Sequence, residues 1–171
     1  TKDTFANTDA KILEINSKTG LYPLYVTYSI FRKRLDSIPV AERTLEKQYE
    51  LWIKTVEENV FVICKTPMAK SITKRTLLGY RKGKINAHAF DDLINQLKEK
   101  PQQLKEKLLR GGFWNKGVEK MKFNAVVGNP PYQDSSSVNN RAGAIYPYFY
   151  DLAESISEKY SIISPARFLF N

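Results

Sequence analysis

Asn129, Pro130, Pro131 and Tyr132 stand together in a chain of 171 residues, and residues of these types in this order suit one kind of chemistry. Consecutive prolines fix φ and remove two backbone N–H donors, so the segment is stiff and presents carbonyl oxygens as acceptors. The Asn129 side-chain oxygen adds an acceptor and Tyr132 adds an aromatic face. A rigid pair of acceptors beside a ring fits an exocyclic amine on a planar base. The oxygens take its two N–H bonds and the ring stacks on the base. Holding both protons draws the nitrogen toward tetrahedral geometry and exposes its lone pair to an electrophile, so that positioning does most of the catalysis. The plainer reading is a proline turn that ends a strand and covers a core edge. The apolar run at 123–127 and Gly128 favour the chemical reading, because they supply a strand and a close backbone approach at this place.

That strand is one of several. Short apolar runs at 11–15, 59–64, 84–90, 123–127 and 160–164 predict strands. Between them, helices are expected at 21–35, 40–56, 67–81, 91–110 with a break at Pro101, and 145–157. Pro39, Pro67 and Pro165 suit helix starts. Leu45, Tyr49, Trp52 and Val56 recur at helical spacing and are expected in the core; the helix at 40–56 is an insertion with a packing or partner-binding role. The Ser- and Asn-rich stretch 133–140 predicts an exposed loop. Strands alternating with helices argue for an α/β fold whose mostly parallel sheet is covered on both faces. Ligands of such sheets bind beyond the carboxyl ends of the strands, where residues 129–132 fall.

Composition narrows the classes. A chain with 42% hydrophobic, 12% aromatic and 26% charged residues supports one buried core and excludes disorder as the main state. One cysteine, Cys64, and one histidine, His88, exclude a disulfide framework and a Cys/His zinc site, and no metal ligands are expected. Cys64 as a nucleophile and His88 as a base find little support in the sequence. No apolar run approaches the roughly 20 residues of a membrane-spanning helix, and residues 1–10 are too polar for a signal peptide, so a cytoplasmic location is expected. The net charge of +9 suits a polyanion. Residues 123–171 hold only Arg141, Lys159 and Arg167 against four acids, so the basic excess lies upstream, in 32–34, 70–75, 81–84 and 98–110. The first residue is not Met, and the chain ends on Phe168-Leu169-Phe170-Asn171, which predicts a fragment of a longer protein.

From Phe123 to Tyr132 the sequence resembles the catalytic motif of adenine-N6 DNA methyltransferases, especially the methylase part of type II restriction-modification enzymes. Asn124 stands where an acid is common in them. The resemblance continues through 161–168, whose Pro165-Ala166-Arg167-Phe168 is similar to a Pro-x-Arg-Phe segment that follows in these enzymes. It implies a truncated Rossmann-like class I methyltransferase fold. S-adenosylmethionine would donate a methyl group to a base flipped from double-stranded DNA, with Asn129 and the Pro130 carbonyl holding the amine and Pro131 and Tyr132 completing the motif. It also implies a partial catalytic domain over 1–171: a cofactor-side half at 1–122 and a catalytic-motif half at 123–171. A target-recognition domain would lie outside these residues, as would any restriction endonuclease, either associated or joined with the methylase in one combined polypeptide; these residues contain no Glu-x-Lys triplet of the common nuclease type.

On the cofactor side the resemblance implies Glu14, Asn16, Thr19 and Gly20, the acid and turn after the first strand, and Asp91 after the third. The turn alone also reads as an ordinary strand-to-helix connection. Asp91 and Asp92 carry two readings, a contact with the cofactor's adenine or the N-cap of the next helix. Two residues depart from the pattern. Lys18 replaces a loop glycine, where it either narrows the pocket or pairs with the cofactor carboxylate, and Cys64 replaces the acid that binds the ribose hydroxyls. These departures favour an alternative in which the fold persists as a DNA-binding or scaffolding remnant without cofactor.

Overall fold

The computed structural model describes residues 3–118, 120–132 and 143–165. Five strands, β1 (Ile12–Ser17), β2 (Val60–Cys64), β3 (Asn86–Ala89), β4 (Ala125–Gly128) and β5 (Tyr160–Ile162), form one sheet in the order β3-β2-β1-β4-β5. Every neighbouring pair is parallel. The helices α1 (Leu21–Asp36), α2 (Leu45–Asn59), α3 (Pro67–Leu78), α4 (Leu93–Glu99), α5 (Pro101–Leu108) and α6 (Tyr146–Ile156) complete the crossovers.

Strands β1, β2 and β4 are buried throughout, which is why they appear as continuous apolar runs. Alternate residues serve opposite faces. Leu13, Ile15, Phe61, Ile63 and Val126 join Leu93, Leu97, Leu104, Leu108, Phe149 and Leu152 in one core, on the face of α4, α5 and α6. Ile12, Val60, Val62, Cys64, Ala125 and Val127 join Val26, Ile30, Val56 and Leu77 in the other, on the face of α1, α2 and α3. This is the doubly wound, Rossmann-like arrangement expected from the alternation of elements. The chain turns from building one side of the sheet to the other between β1 and β4, which leaves a crevice at their carboxyl ends.

The strands and helices fall close to their expected places, with corrections at their ends: β1 runs on to Ser17 and β4 begins only at Ala125. The helix expected from residue 40 begins at Leu45, because Pro39 leads into a 3₁₀ turn at Val40–Glu42 and Thr44 then caps α2 by accepting the Lys47 N–H at 3.2 Å. Leu45 therefore lies outside the core, 86% exposed, although Val56 is buried and Trp52 donates to the Leu77 carbonyl at 2.8 Å. Arg34 is also withdrawn from the expected basic surface: its guanidinium lies 2.7 Å from the Glu58 carboxylate and 2.9 Å from the Thr8 carbonyl. The expected loop at 133–140 and Arg167 of the Pro-x-Arg-Phe segment lie outside the described residues.

Candidate active site

Two connections meet at the crevice. The first leaves β4. Gly128 pairs with Ile15 of β1, and a Cβ added there would sit 2.7 Å from the Ile15 carbonyl oxygen, so only glycine fits this approach of the two strands. The Gly128 carbonyl accepts from Ile163 N at 3.0 Å, and four residues later the Tyr132 carbonyl accepts from Ile145 N at 3.2 Å. Between these anchors Pro130 is buried and Asn129 half-buried. The carbonyls of Pro130 and Pro131 receive no hydrogen bond from the described residues. Tyr132 is 40% exposed, and its hydroxyl donates to Asn129 Oδ1 over a long 3.4 Å. The strand end thus offers a side-chain oxygen and a fixed peptide oxygen beside an accessible ring.

The second connection leaves β1. Asn16, at an irregularity inside the end of β1, and Gly20, beyond the strand, both take left-handed backbone conformations, φ 66° and 77°. At Gly20 a Cβ would meet the Thr73 backbone of α3 at 3.0 Å, so the turn is pressed against that helix. Thr76 of α3 also donates to the Thr19 carbonyl at 2.6 Å. Lys18 and Thr19 are exposed at the tip. The first turn of α1, which follows Gly20, carries no acid and no side-chain cap.

Glu14 is the unusual group of this region. It is only 4% exposed, its Oε2 has no hydrogen-bond partner among the described residues, and burial pushes its carboxyl up to about 7 against the pull of the Ser17 side chain. Ser17 Oγ lies 3.2 Å from Thr73 Oγ1, which in turn lies 3.9 Å from the Cys64 sulfur. A buried polar chain therefore links the carboxyl ends of β1 and β2 through α3. Burial pushes the Cys64 thiol up to about 11, so it stays protonated at neutral pH.

Beyond β3, Phe90 N donates to the Cys64 carbonyl at 2.9 Å, which brings Asp91 next to the end of β2. Asp91 and Asp92 are both exposed. Asp92 occupies the N-cap position of α4 without capping it, its carboxylate accepting instead from Gln96 Nε2 at 2.6 Å. His88 stacks on Phe113 with ring centroids 3.9 Å apart, and burial lowers its pKa. It packs in an aromatic cluster that also includes Trp114.

One contact escaped the sequence reading. The Asn16 side chain donates from Nδ2 to the Asn129 carbonyl at 3.0 Å and so joins the two connections directly. The available signal was an asparagine one residue past a predicted strand, a type that tolerates left-handed backbone.

Sheet order, a glycine-pinned turn after β1 and an acceptor-bearing turn after β4 together define a Rossmann-like domain of the methyltransferase type. The family model of the Eco57I restriction-modification methylase matches residues 58–171, and the chain belongs to that family. No curated protein matches the chain. The matched span runs from the end of α2 through residues 129–132, and membership makes DNA methylation, in general terms, the activity of the domain. Among the described residues no helix is long and apolar enough to cross a membrane, and no cluster of His, Cys, Asp or Glu is placed to hold a metal ion.

Proposed function

We propose that the chain methylates adenine N6 in double-stranded DNA with S-adenosylmethionine as donor, within a restriction-modification system. The observation that carries this reading is the pair of acceptors after β4. Among the described residues Asn129 Oδ1 meets only a long contact from Tyr132 and the Pro130 carbonyl meets none, so both are available to the two protons of an amine. As the amine lone pair, turned out of conjugation, formed the new N–C bond, the S–CH3 bond of the donor would break with its electron pair returning to sulfur, the neutral thioether would leave, and one of the two held protons would pass to solvent water. Tyr132 provides the face on which a flipped base stacks.

The residues in the second half of β1 and the turn after it would meet the donor at its amino-acid end. Glu14 Oε2 is a buried acceptor that lacks a partner, which a cationic ligand would satisfy. Thr19, Gly20 and the backbone of Asn16, whose side chain is engaged by the Asn129 carbonyl, would line the same end and Asp91 the adenine end. When bound, the donor supplies a methyl group activated by a sulfonium. In this proposal residues 1–122 form the cofactor-side half and residues 123–171 the catalytic-motif half, while target recognition and any nuclease belong to other segments or chains.

The test is to incubate the full chain with duplex DNA and methyl-labelled S-adenosylmethionine and to identify the modified nucleoside by mass spectrometry. N6-methyladenine is expected. A methylated cytosine would overturn the adenine assignment. Absence of both product and cofactor binding would favour the remnant reading, which the neutral Cys64 thiol at the end of β2 supports.

A further inference from the structure

We infer that Asn16 is a positioning residue for the target amine: its side-chain hydrogen bond to the Asn129 carbonyl sets the orientation of the two acceptors beyond β4. The inference rests on the function proposed above. Pro130 and Pro131 have no N–H, so residues 129–131 can be held mainly through their oxygens. Gly128 and Tyr132 are anchored at either side by Ile163 N and Ile145 N. Among the described residues the hold on the backbone between them is the single 3.0 Å bond from Asn16 Nδ2. The Asn129 carbonyl lies in the planar unit that joins Asn129 to Pro130. Fixing that oxygen fixes the plane, and with it the base of the Asn129 side chain and the start of the Pro130 peptide.

Asn16 is built for this task. It is 5% exposed and follows Ile15, the residue that pairs with Gly128. Its left-handed backbone, φ 66°, marks the irregularity in β1 between Glu14 and Ser17, at the place where its amide meets the connection that leaves β4. Most residue types adopt this conformation only with strain, whereas asparagine and glycine adopt it readily. The turn proposed to hold the cofactor and the turn proposed to hold the amine are therefore tied by one side chain, 113 positions away in sequence.

The test compares Asn16→Gly, which keeps the backbone conformation and deletes the donor, with Asn16→Asp, which keeps the shape and replaces the donor by an acceptor. Methyl-transfer kcat, KM for DNA, cofactor Kd by calorimetry and melting temperature are measured on the full chain. Both variants are expected to lower kcat about 100-fold, the scale of a misplaced reacting group. Cofactor Kd and KM should stay within about threefold of wild type, less than half a decade of affinity. Unchanged kcat in Asn16→Gly would overturn the inference. So would a parallel loss of kcat and cofactor affinity, which would make Asn16 a cofactor ligand instead. If Asn16→Asp alone fails to fold, Asn16→Gly still decides. A wild-type chain that binds cofactor and yields no methylated base would refute the underlying function, and the inference with it, a result distinct from a defect confined to the variants.

Discussion

The two connections that meet at the crevice solve the same problem, presenting polar atoms beyond a buried strand, by opposite means. After β4 the presentation is made by the backbone: prolines stiffen the segment, glycine lets β1 approach, and carbonyls anchored on both sides leave two oxygens available. In β1 and at the end of β2 it is made by side chains, among them a buried carboxyl without a full set of partners and a protonated thiol. Backbone acceptors do not depend on which side chain stands beside them, whereas a side-chain site changes with each substitution. The two residues that depart from the resemblance on the cofactor side, Lys18 and Cys64, fall in the second region.

Removal of the one side-chain acceptor in the backbone-built region should have the largest effect. Asn129→Ala leaves the Pro130 carbonyl alone to hold the amine, and the expected loss of methyl-transfer kcat is about 100- to 1000-fold, the range seen when one preorganised hydrogen-bonding group is removed from a reacting centre. Cofactor affinity measured by calorimetry should hardly change. Equal losses in both quantities would mean that the two regions are not separable in the way described.

In the side-chain-built region the next effect is one of stability. Folding raises the Glu14 carboxyl from 4.5 to about 7. The native state therefore holds a proton that the unfolded chain releases between those values, and stability falls as pH rises through the window. Above it the full penalty is present, on the order of 3 kcal/mol for a shift of this size. Glu14→Gln removes the titration, so the variant should melt higher than wild type at pH 8 and close to wild type at pH 4.5. Thermal melts at several pH values would show the slope vanish. A wild-type profile that is flat from pH 4.5 to 7 would mean that the carboxyl finds a partner in solution.

The contrast also explains what the sequence made legible. Continuous apolar runs marked β1, β2 and β4 because both faces of these strands are covered, and the Pro-Pro pair marked the acceptor turn because its effect is local. The Asn16–Asn129 bond was hidden, since it depends on the parallel register that sets Ile15 against Gly128. Phe123 was assigned to a strand, yet it precedes β4 and makes only an isolated bridge to Ser157, while its ring packs edge-on against Phe61 and Trp114. Helical spacing placed Leu45 with Trp52 and Val56, and only the capping geometry at Thr44 shows that Leu45 sits in the first exposed turn. Glu14 was legible as an acid in the first strand, but its burial and its oxygen without a partner among the described residues depend on tertiary packing.

The smallest effect concerns Cys64. In doubly wound sheets an acid after the second strand accepts hydrogen bonds from ribose hydroxyls, and a protonated thiol accepts them poorly. Cys64→Asp should therefore tighten cofactor binding about tenfold, equivalent to roughly 1.4 kcal/mol. The gain is opposed by two features of the site. The position is fully buried, and the Glu14 carboxylate already disfavours a second negative charge there, as the upward push of Glu14 on the thiol shows. The gain should thus be larger when Cys64→Asp is combined with Glu14→Gln than when it is made alone, and a double-mutant cycle on cofactor Kd measures the difference. Unchanged affinity in both backgrounds would place the ribose away from the end of β2. The side-chain-built region would then have lost its cofactor contact there rather than weakened it.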